Sequence, residues 1–70
     1  MNTELLNLSL RLGYRCEWTD KMISFPEHDL HVDNRGRLIT GRPINMTTLN
    51  EIIKIVNKWL ELQKIGAFKQ

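Results

Sequence analysis

Two histidines and three carboxylates fall within one short segment of this chain. The segment reads Glu27-His28-Asp29-Leu30-His31-Val32-Asp33. Imidazole and carboxylate groups are ligands for zinc and other divalent ions, and in an extended strand Asp29, His31 and Asp33 would point to the same side. The solvated side of a hairpin has the same alternation, and no second element with further ligands can be named. We therefore expect no cofactor, with His28 and His31 as weak candidate metal ligands.

Cys16 is the only cysteine, so a disulfide within the chain is excluded and a reducing compartment is the natural location. It alternates with Arg15 and Glu17 and shares a side with Tyr14 and Trp18, which indicates a small core residue rather than a reactive thiolate. The sequence contains neither a glycine-rich phosphate loop nor a supported Ser/His/Asp set. We expect a protein that is not an enzyme.

Basic side chains form the best candidate binding surface. Three arginines lie at a predicted turn, at the start of the following strand and in the loop before the second helix, and two more cations come from the neighbouring hairpin. These residues are Arg15, Lys21, Arg35, Arg37 and Arg42. Together they would form a positive rim that accepts phosphates or the carboxylates of a protein partner. Nearby acidic residues leave an ordinary mixed-charge surface as the alternative.

Length and composition indicate one small globular domain, residues 1–70. Of the 70 residues 41% are hydrophobic and 26% are charged, and the formal net charge of +2 is too small to demand a nucleic acid or an anionic membrane as partner. The N-terminal residues lack the basic region of a signal peptide. No segment approaches the ~18 apolar residues of a membrane span. We expect a cytoplasmic protein with no membrane partner.

Residues 48–65 have the pattern of a long amphipathic helix. Thr48 and Glu51 have the spacing of a capping box, and Gly66 suits a left-handed C-cap. The apolar residues form two adjacent stripes. The first contains Leu49, Ile53, Val56 and Leu60, and the second contains Ile52, Ile55, Trp59 and Leu62. The stripes are together wider than the ~100° face of a surface helix. We expect the second stripe to meet another helix or a second copy of the chain, with Ile55, Trp59 and Leu62 as the candidate interface; for Trp59 the alternative is plain core.

The rest of the chain predicts one further helix and a small antiparallel sheet. Leucines at helical spacing indicate a helix over residues 3–12, ended by Gly13. Alternating patterns follow over residues 14–18, 22–25, 30–32 and 37–40, and Pro26 ends the second strand or splits it to make four. At the last hairpin, Gly36 in a left-handed conformation would set Asp33 opposite Arg37 and Val32 opposite Leu38. We predict an α+β fold of α-β-β-β-α order, with three to four strands and both helices on one face.

This order of elements resembles that of the double-stranded RNA-binding domain and of the small HicA-type toxins. The RNA-binding family has a lysine cluster at the start of its last helix, where this chain has the uncharged residues 45–50. The toxin family has a Gly-Ser-His signature at its first hairpin, where this chain has Thr19-Asp20-Lys21. The resemblance therefore implies the fold, and the functional residues of neither family are present.

These observations favour a small regulatory protein that acts by binding another macromolecule. The partner would be a protein, including a second copy of the chain as a homodimer. Proteins of this size are common among phage and mobile-element accessory proteins and inhibitors, which is an analogy from size alone. A nucleic-acid-binding module that uses the arginines and a small metal-binding module are the alternatives.

Overall fold

The described part of the chain contains two helices, with four strands between them. The computed structural model describes residues 3–66. The elements are α1 (Thr3–Leu12), β1 (Glu17–Trp18), β2 (Met22–Phe25), β3 (Leu30–Asp33), β4 (Leu38–Thr40) and α2 (Met46–Lys64). The strands form one antiparallel sheet in the order β1-β2-β3-β4. The predicted α+β class and element order are confirmed, with four strands.

Pro26 creates the fourth strand. Proline has no amide hydrogen to donate to a ladder, so β2 ends at Phe25 and a short 3-10 turn follows over Pro26–His28. Asp29 then has a left-handed backbone, with φ of 50°, and the chain reverses into β3. The first predicted strand is shorter than its pattern suggests, because only Glu17 and Trp18 pair with β2.

The β3–β4 hairpin has the predicted register. Val32 lies opposite Leu38, and the amide of Gly36 donates to the carbonyl of Asp33 over 3.0 Å. Gly36 has a φ of 84°, a conformation that glycine adopts without steric cost. Residues 34–36 therefore form the three-residue loop that the glycine position indicates.

The core lies between one face of the sheet and the two helices. Side chains that alternate along β2 and β3 point into it, and α1 contributes one leucine. Its strand and α1 members are Leu5, Ile23, Phe25, Leu30 and Val32, all at most 2% exposed. Trp59 of α2 is fully buried, and its indole Nε1–H donates to the carbonyl of Thr19 over 2.9 Å. Side chains on the opposite face of the sheet, which is open within residues 3–66, are half-buried or exposed.

Helix α2 begins two residues earlier than the capping-box spacing suggests. Asn45 is the N-cap, and its side-chain oxygen accepts a hydrogen bond of 2.8 Å from the amide of Thr48. The carboxylate of Glu51 accepts instead from the hydroxyl of Tyr14. The predicted capping box is therefore wrong, because an asparagine three residues upstream supplies the acceptor and a tertiary partner engages the glutamate.

The proposed interface on α2 lies inside the chain. Ile55 and Trp59 are fully buried and Leu62 is 4% exposed. Helix α1 packs on this side of α2, since Lys58, on the flank between Ile55 and Leu62, binds Glu4 over 3.1 Å. These three residues are therefore core residues, as the alternative for Trp59 predicts, and the candidate interface is not on the surface. The helix beside this stripe is α1 rather than one from a second copy of the chain. The open flank is the other one, where Ile53 is 38% exposed.

Candidate functional site

Strand β4 is the strand whose residues are all exposed among the four strands of residues 3–66. All three residues of the strand are exposed, with Leu38 at 45% and Ile39 at 56% of their surfaces. Strand β4 is last in the sheet order, so within residues 3–66 β3 is its only partner. Apolar side chains therefore remain exposed on both faces of an edge strand.

The backbone hydrogen bonds of the hairpin show which groups of β4 point outward. The amide of Asp33 donates to the carbonyl of Arg37 over 3.1 Å, and the amide of Gly41 donates to the carbonyl of Asp29 over 3.0 Å. Hydrogen-bonded positions alternate in an antiparallel pair, so residues 37, 39 and 41 face β3. The amides and carbonyls of Leu38 and Thr40 therefore point away from the sheet.

Within the part of the chain that the structure describes, this edge lacks the usual protection against further pairing. Edge strands are commonly guarded by lysine, proline, a bulge or a covering element, whereas β4 reads Leu38-Ile39-Thr40. The flanking hydrogen bonds extend the edge over residues 37–41, roughly 17 Å at the rise of an antiparallel strand. The opposite edge, β1, is only two residues long. Strand β4 is therefore the edge that can accept another strand.

Asp33 holds the loop that precedes β4. Its Oδ1 accepts from the amides of Arg35 (3.0 Å) and Arg37 (2.9 Å), and its Oδ2 accepts from Nε of Arg37 over 2.9 Å. The hydrogen bond from the Arg37 amide, together with the guanidinium, lowers the pKa of Asp33. The charge of Arg37 is thus directed at Asp33, while among residues 3–66 Arg35 forms no ion pair.

The five predicted cations do not form one rim. Met22 pairs with Asp33, so the β1–β2 turn and the β3–β4 loop lie at the same end of the sheet. Lys21, Arg35 and Arg37 are at that end. The other end contains Arg42, whose guanidinium donates to the carbonyl of Glu27, and Arg15, which precedes the start of β1. The cations therefore form two groups, and two of the arginines flank β4.

A groove opens between the β3–β4 loop and the C-terminal half of α2. Its volume is about 620 Å³, and it is lined by Asn34, Arg35, Gly36, Asn57, Leu60, Glu61, Gln63 and Lys64. Ile53, Asn57, Leu60 and Lys64 follow one another at helical spacing, on the flank of α2 that α1 leaves open. The groove therefore lies on the β4 side of the molecule.

The two histidines have separate environments. The ring of His28 lies 5.6 Å from that of Tyr14, whereas Nδ1 of His31 is 2.9 Å from the Ser24 hydroxyl on the open face of the sheet. Asp29 is 3.7 Å from Nε2 of His31. Within residues 3–66, no group of three His, Cys, Asp or Glu side chains is placed to hold a metal ion. The structure does not bring the two candidate ligands together.

Cys16 is half-buried, and burial raises the pKa of its thiol. A raised pKa lowers the fraction of thiolate at neutral pH, which is the reactive form. The environment of Cys16 is therefore that of a packing residue.

Sequence reasoning missed the β4 edge and the helix side of the groove. Leu38 and Ile39 were available as a signal, because two consecutive apolar residues in a strand must point to opposite faces. The last strand of a meander is also an edge. Gln63 and Lys64 carried no such signal, since their position beside the hairpin loop depends on which flank of α2 is covered by α1.

No protein-family model matches this chain, and the comparisons with curated proteins and with solved structures give no match. Neither helix of residues 3–66 has the length and apolar character needed to cross a membrane.

Proposed function

We propose that this protein is a non-enzymatic regulatory protein of the cytoplasm that binds an extended segment of another protein along the edge of β4. The observation that carries the proposal is the outward direction of the backbone groups of Leu38 and Thr40, on a strand whose residues are all exposed. A partner strand would satisfy these groups with main-chain hydrogen bonds and cover apolar side chains, as in β-strand addition.

The side chains around the edge support a protein segment as ligand. Leu38 lies on the helix side of the sheet and Ile39 on the open side, because they pair with Val32 and His31 respectively. An added strand with apolar residues at neighbouring positions would cover both. In strand addition the main-chain hydrogen bonds give affinity and the side-chain pockets give specificity, so the ladder is the part of the interaction to test.

Selection from a displayed library of random nine-residue peptides tests the proposal without a known partner. We expect the wild-type chain to select peptides rich in β-branched residues. N-methylation of a selected peptide at the alternate residues whose amides face β4 should abolish binding. N-methylation at the residues in between, whose amides face away from β4, should leave binding nearly unchanged. Equal losses from the two patterns of N-methylation would contradict strand addition.

Two substitutions at one position separate the backbone from the side chain. Leu38→Pro removes an outward amide hydrogen and leaves the bonds to β3 intact, so we expect at least about tenfold weaker peptide binding, the loss of one well-placed hydrogen bond. Leu38→Ala keeps the amide and should weaken binding less. Thermal denaturation of both variants checks that the fold is retained. Equal losses would contradict a role for the edge backbone.

Binding of mixed-sequence RNA and DNA at two salt concentrations tests the alternative function. A nucleic-acid binder shows a steep fall in affinity with salt, which reflects released counterions. The separation of the five cations into two groups leads us to expect no such slope. A steep slope that is lost when the arginines are replaced would favour the nucleic-acid function over peptide binding.

A further inference from the structure

We infer that the groove between the β3–β4 loop and α2 binds an acidic side chain of the partner segment, so that the partner is an extended peptide with a carboxylate at the end nearest Arg35. This inference rests on the proposed function, because the segment that pairs with β4 is the one that delivers the carboxylate.

Two cations from different elements line this groove. Arg35 comes from the loop and Lys64 from the last turn of α2, and among residues 3–66 neither of them forms an ion pair. Glu61 also lines the groove, but its carboxylate lies 3.7 Å from Nζ of Lys58, the lysine that binds α1. Two cations on facing walls favour an anionic ligand group between them.

Neutral hydrogen-bond donors also line the groove. Asn34 and Asn57 are among its lining residues, and each side-chain amide offers two N–H donors. A carboxylate held between Arg35 and Lys64 can accept from these amides as well as from the two cations.

The groove lies beside the loop that leads into β4. Arg35 precedes Leu38 by three residues, roughly 10 Å of extended chain. The side chain of Leu38 points to the helix side of the sheet, the side from which α2 contributes Leu60 to the groove. A segment paired with β4 that extends past Leu38 therefore reaches the groove within about three residues.

Charge argues against a second copy of this chain as the occupant. If two copies of the chain pair through antiparallel β4 strands, the outward backbone groups of Leu38 in one copy meet those of Thr40 in the other. In this register Ile39 lies opposite Ile39 of the second copy. Arg42 then lies opposite Gly36 of the second copy, between two arginines of the loop, at both ends of the new ladder. Like charges brought to neighbouring positions across a strand pair repel each other, whereas an acidic segment meets complementary charge.

Removal of the negative charge from selected peptides tests the inference. We expect peptides selected by the wild-type chain to carry aspartate or glutamate at one end, and replacement of that residue by its amide to weaken binding about tenfold, the effect of losing a charge-assisted hydrogen bond. Arg35→Ala/Lys64→Ala should remove this difference between the acidic and amide peptides. Arg15→Ala, at the other end of the sheet, should leave the difference unchanged.

The outcomes separate this inference from the proposed function. Peptides that depend on Leu38 but show no acidic end, or an acid preference that survives the double substitution, overturn the inference and leave the proposed function standing. Absence of any selected peptide overturns both. If mixed-sequence RNA displaces the selected peptide, and this displacement requires Arg35 and Lys64, the inference is overturned in favour of phosphate as the ligand group. A dimer in light scattering that Leu38→Pro dissociates overturns it in favour of a second copy.

Discussion

The hydroxyl of Tyr14 donates a hydrogen bond of 2.6 Å to Oε1 of Glu51, a residue 37 positions later in the chain. Tyr14 follows α1, and Glu51 lies in the second turn of α2. The bond therefore joins the segment after the first helix to the second helix at the end of the sheet where β2 turns into β3. This contact replaces the local capping role that the position of Glu51 indicates.

Substitution of Tyr14 by phenylalanine should destabilise the fold without loss of ring packing. We expect Tyr14→Phe to lower the free energy of unfolding by about 1 kcal/mol at pH 7, since the bond reaches a charged acceptor but is partly exposed. Urea denaturation measures the change. Ser24→Ala, which removes a hydroxyl contact on the open face of the sheet, is the control. An unchanged stability in Tyr14→Phe would contradict the structural role of the bond.

The same bond predicts a pH dependence in alkali. The hydrogen bond to Glu51, assisted by burial, raises the pKa of Tyr14 above its usual value of about 10. The stabilisation is therefore fully present below the unfolded pKa and is lost as pH rises through the folded pKa. The difference in stability between the wild-type chain and Tyr14→Phe should shrink above about pH 10. A constant difference up to pH 11 would contradict this assignment.

Asp33 should stabilise the β3–β4 hairpin only while it is ionised. Its folded pKa is lowered, chiefly by the amide of Arg37, so its contribution is present above the unfolded pKa of about 3.9 and is lost as pH falls through the folded pKa. Asp33→Asn keeps an oxygen acceptor and removes the charge. We expect the variant to be less stable at pH 7 and to equal the wild-type chain at pH 2 in urea denaturation. If the difference in stability between the two proteins persists at pH 2, its cause is the hydrogen-bond geometry of the asparagine side chain and not the lost charge.

Local sequence signals predicted the elements and the hairpin register, because each depends on residues close in the chain. Gly36 permits one loop geometry, and that loop fixes the pairing of Val32 with Leu38. Pro26 likewise ends β2 regardless of the tertiary environment. The limits of α1 are also local, since Gly13 (φ 82°) directly follows its last residue.

The choice of flank on α2 could not be predicted from the sequence. Both flanks carry isoleucine and leucine, and the covered one is decided by where α1 packs, a tertiary contact that the ion pair between Glu4 and Lys58 marks. The candidate site also depends on the position of α1. It combines an edge strand with the flank of α2 that α1 leaves uncovered, and that flank is a property of the tertiary packing.

Cys16 should react slowly with thiol reagents in the folded state. Burial raises the pKa of the thiol above its ordinary value of about 8.5, and the side chain is half-buried. We expect the rate of reaction with Ellman's reagent at pH 8 to be lower in buffer than in 8 M urea, where the thiol is exposed and its pKa is ordinary. Equal rates would indicate an accessible thiolate and reopen the question of a reactive cysteine.

Substitutions at two isoleucines of α2 test which flank of the helix faces the core. Ile55 is fully buried and Ile53 is 38% exposed. Ile55→Ala should cost about 2–5 kcal/mol, because it removes buried methyl groups and leaves a cavity, whereas a change at a surface position such as Ile53→Ala should cost less than about 1 kcal/mol. Both substitutions change helix propensity equally, so the difference reports burial alone. Ile55→Val, at about 1 kcal/mol, gives the same comparison if Ile55→Ala leaves no folded protein. Equal losses at the two positions would mean that both flanks are covered, and the open side of α2 beside Arg35 would then not exist.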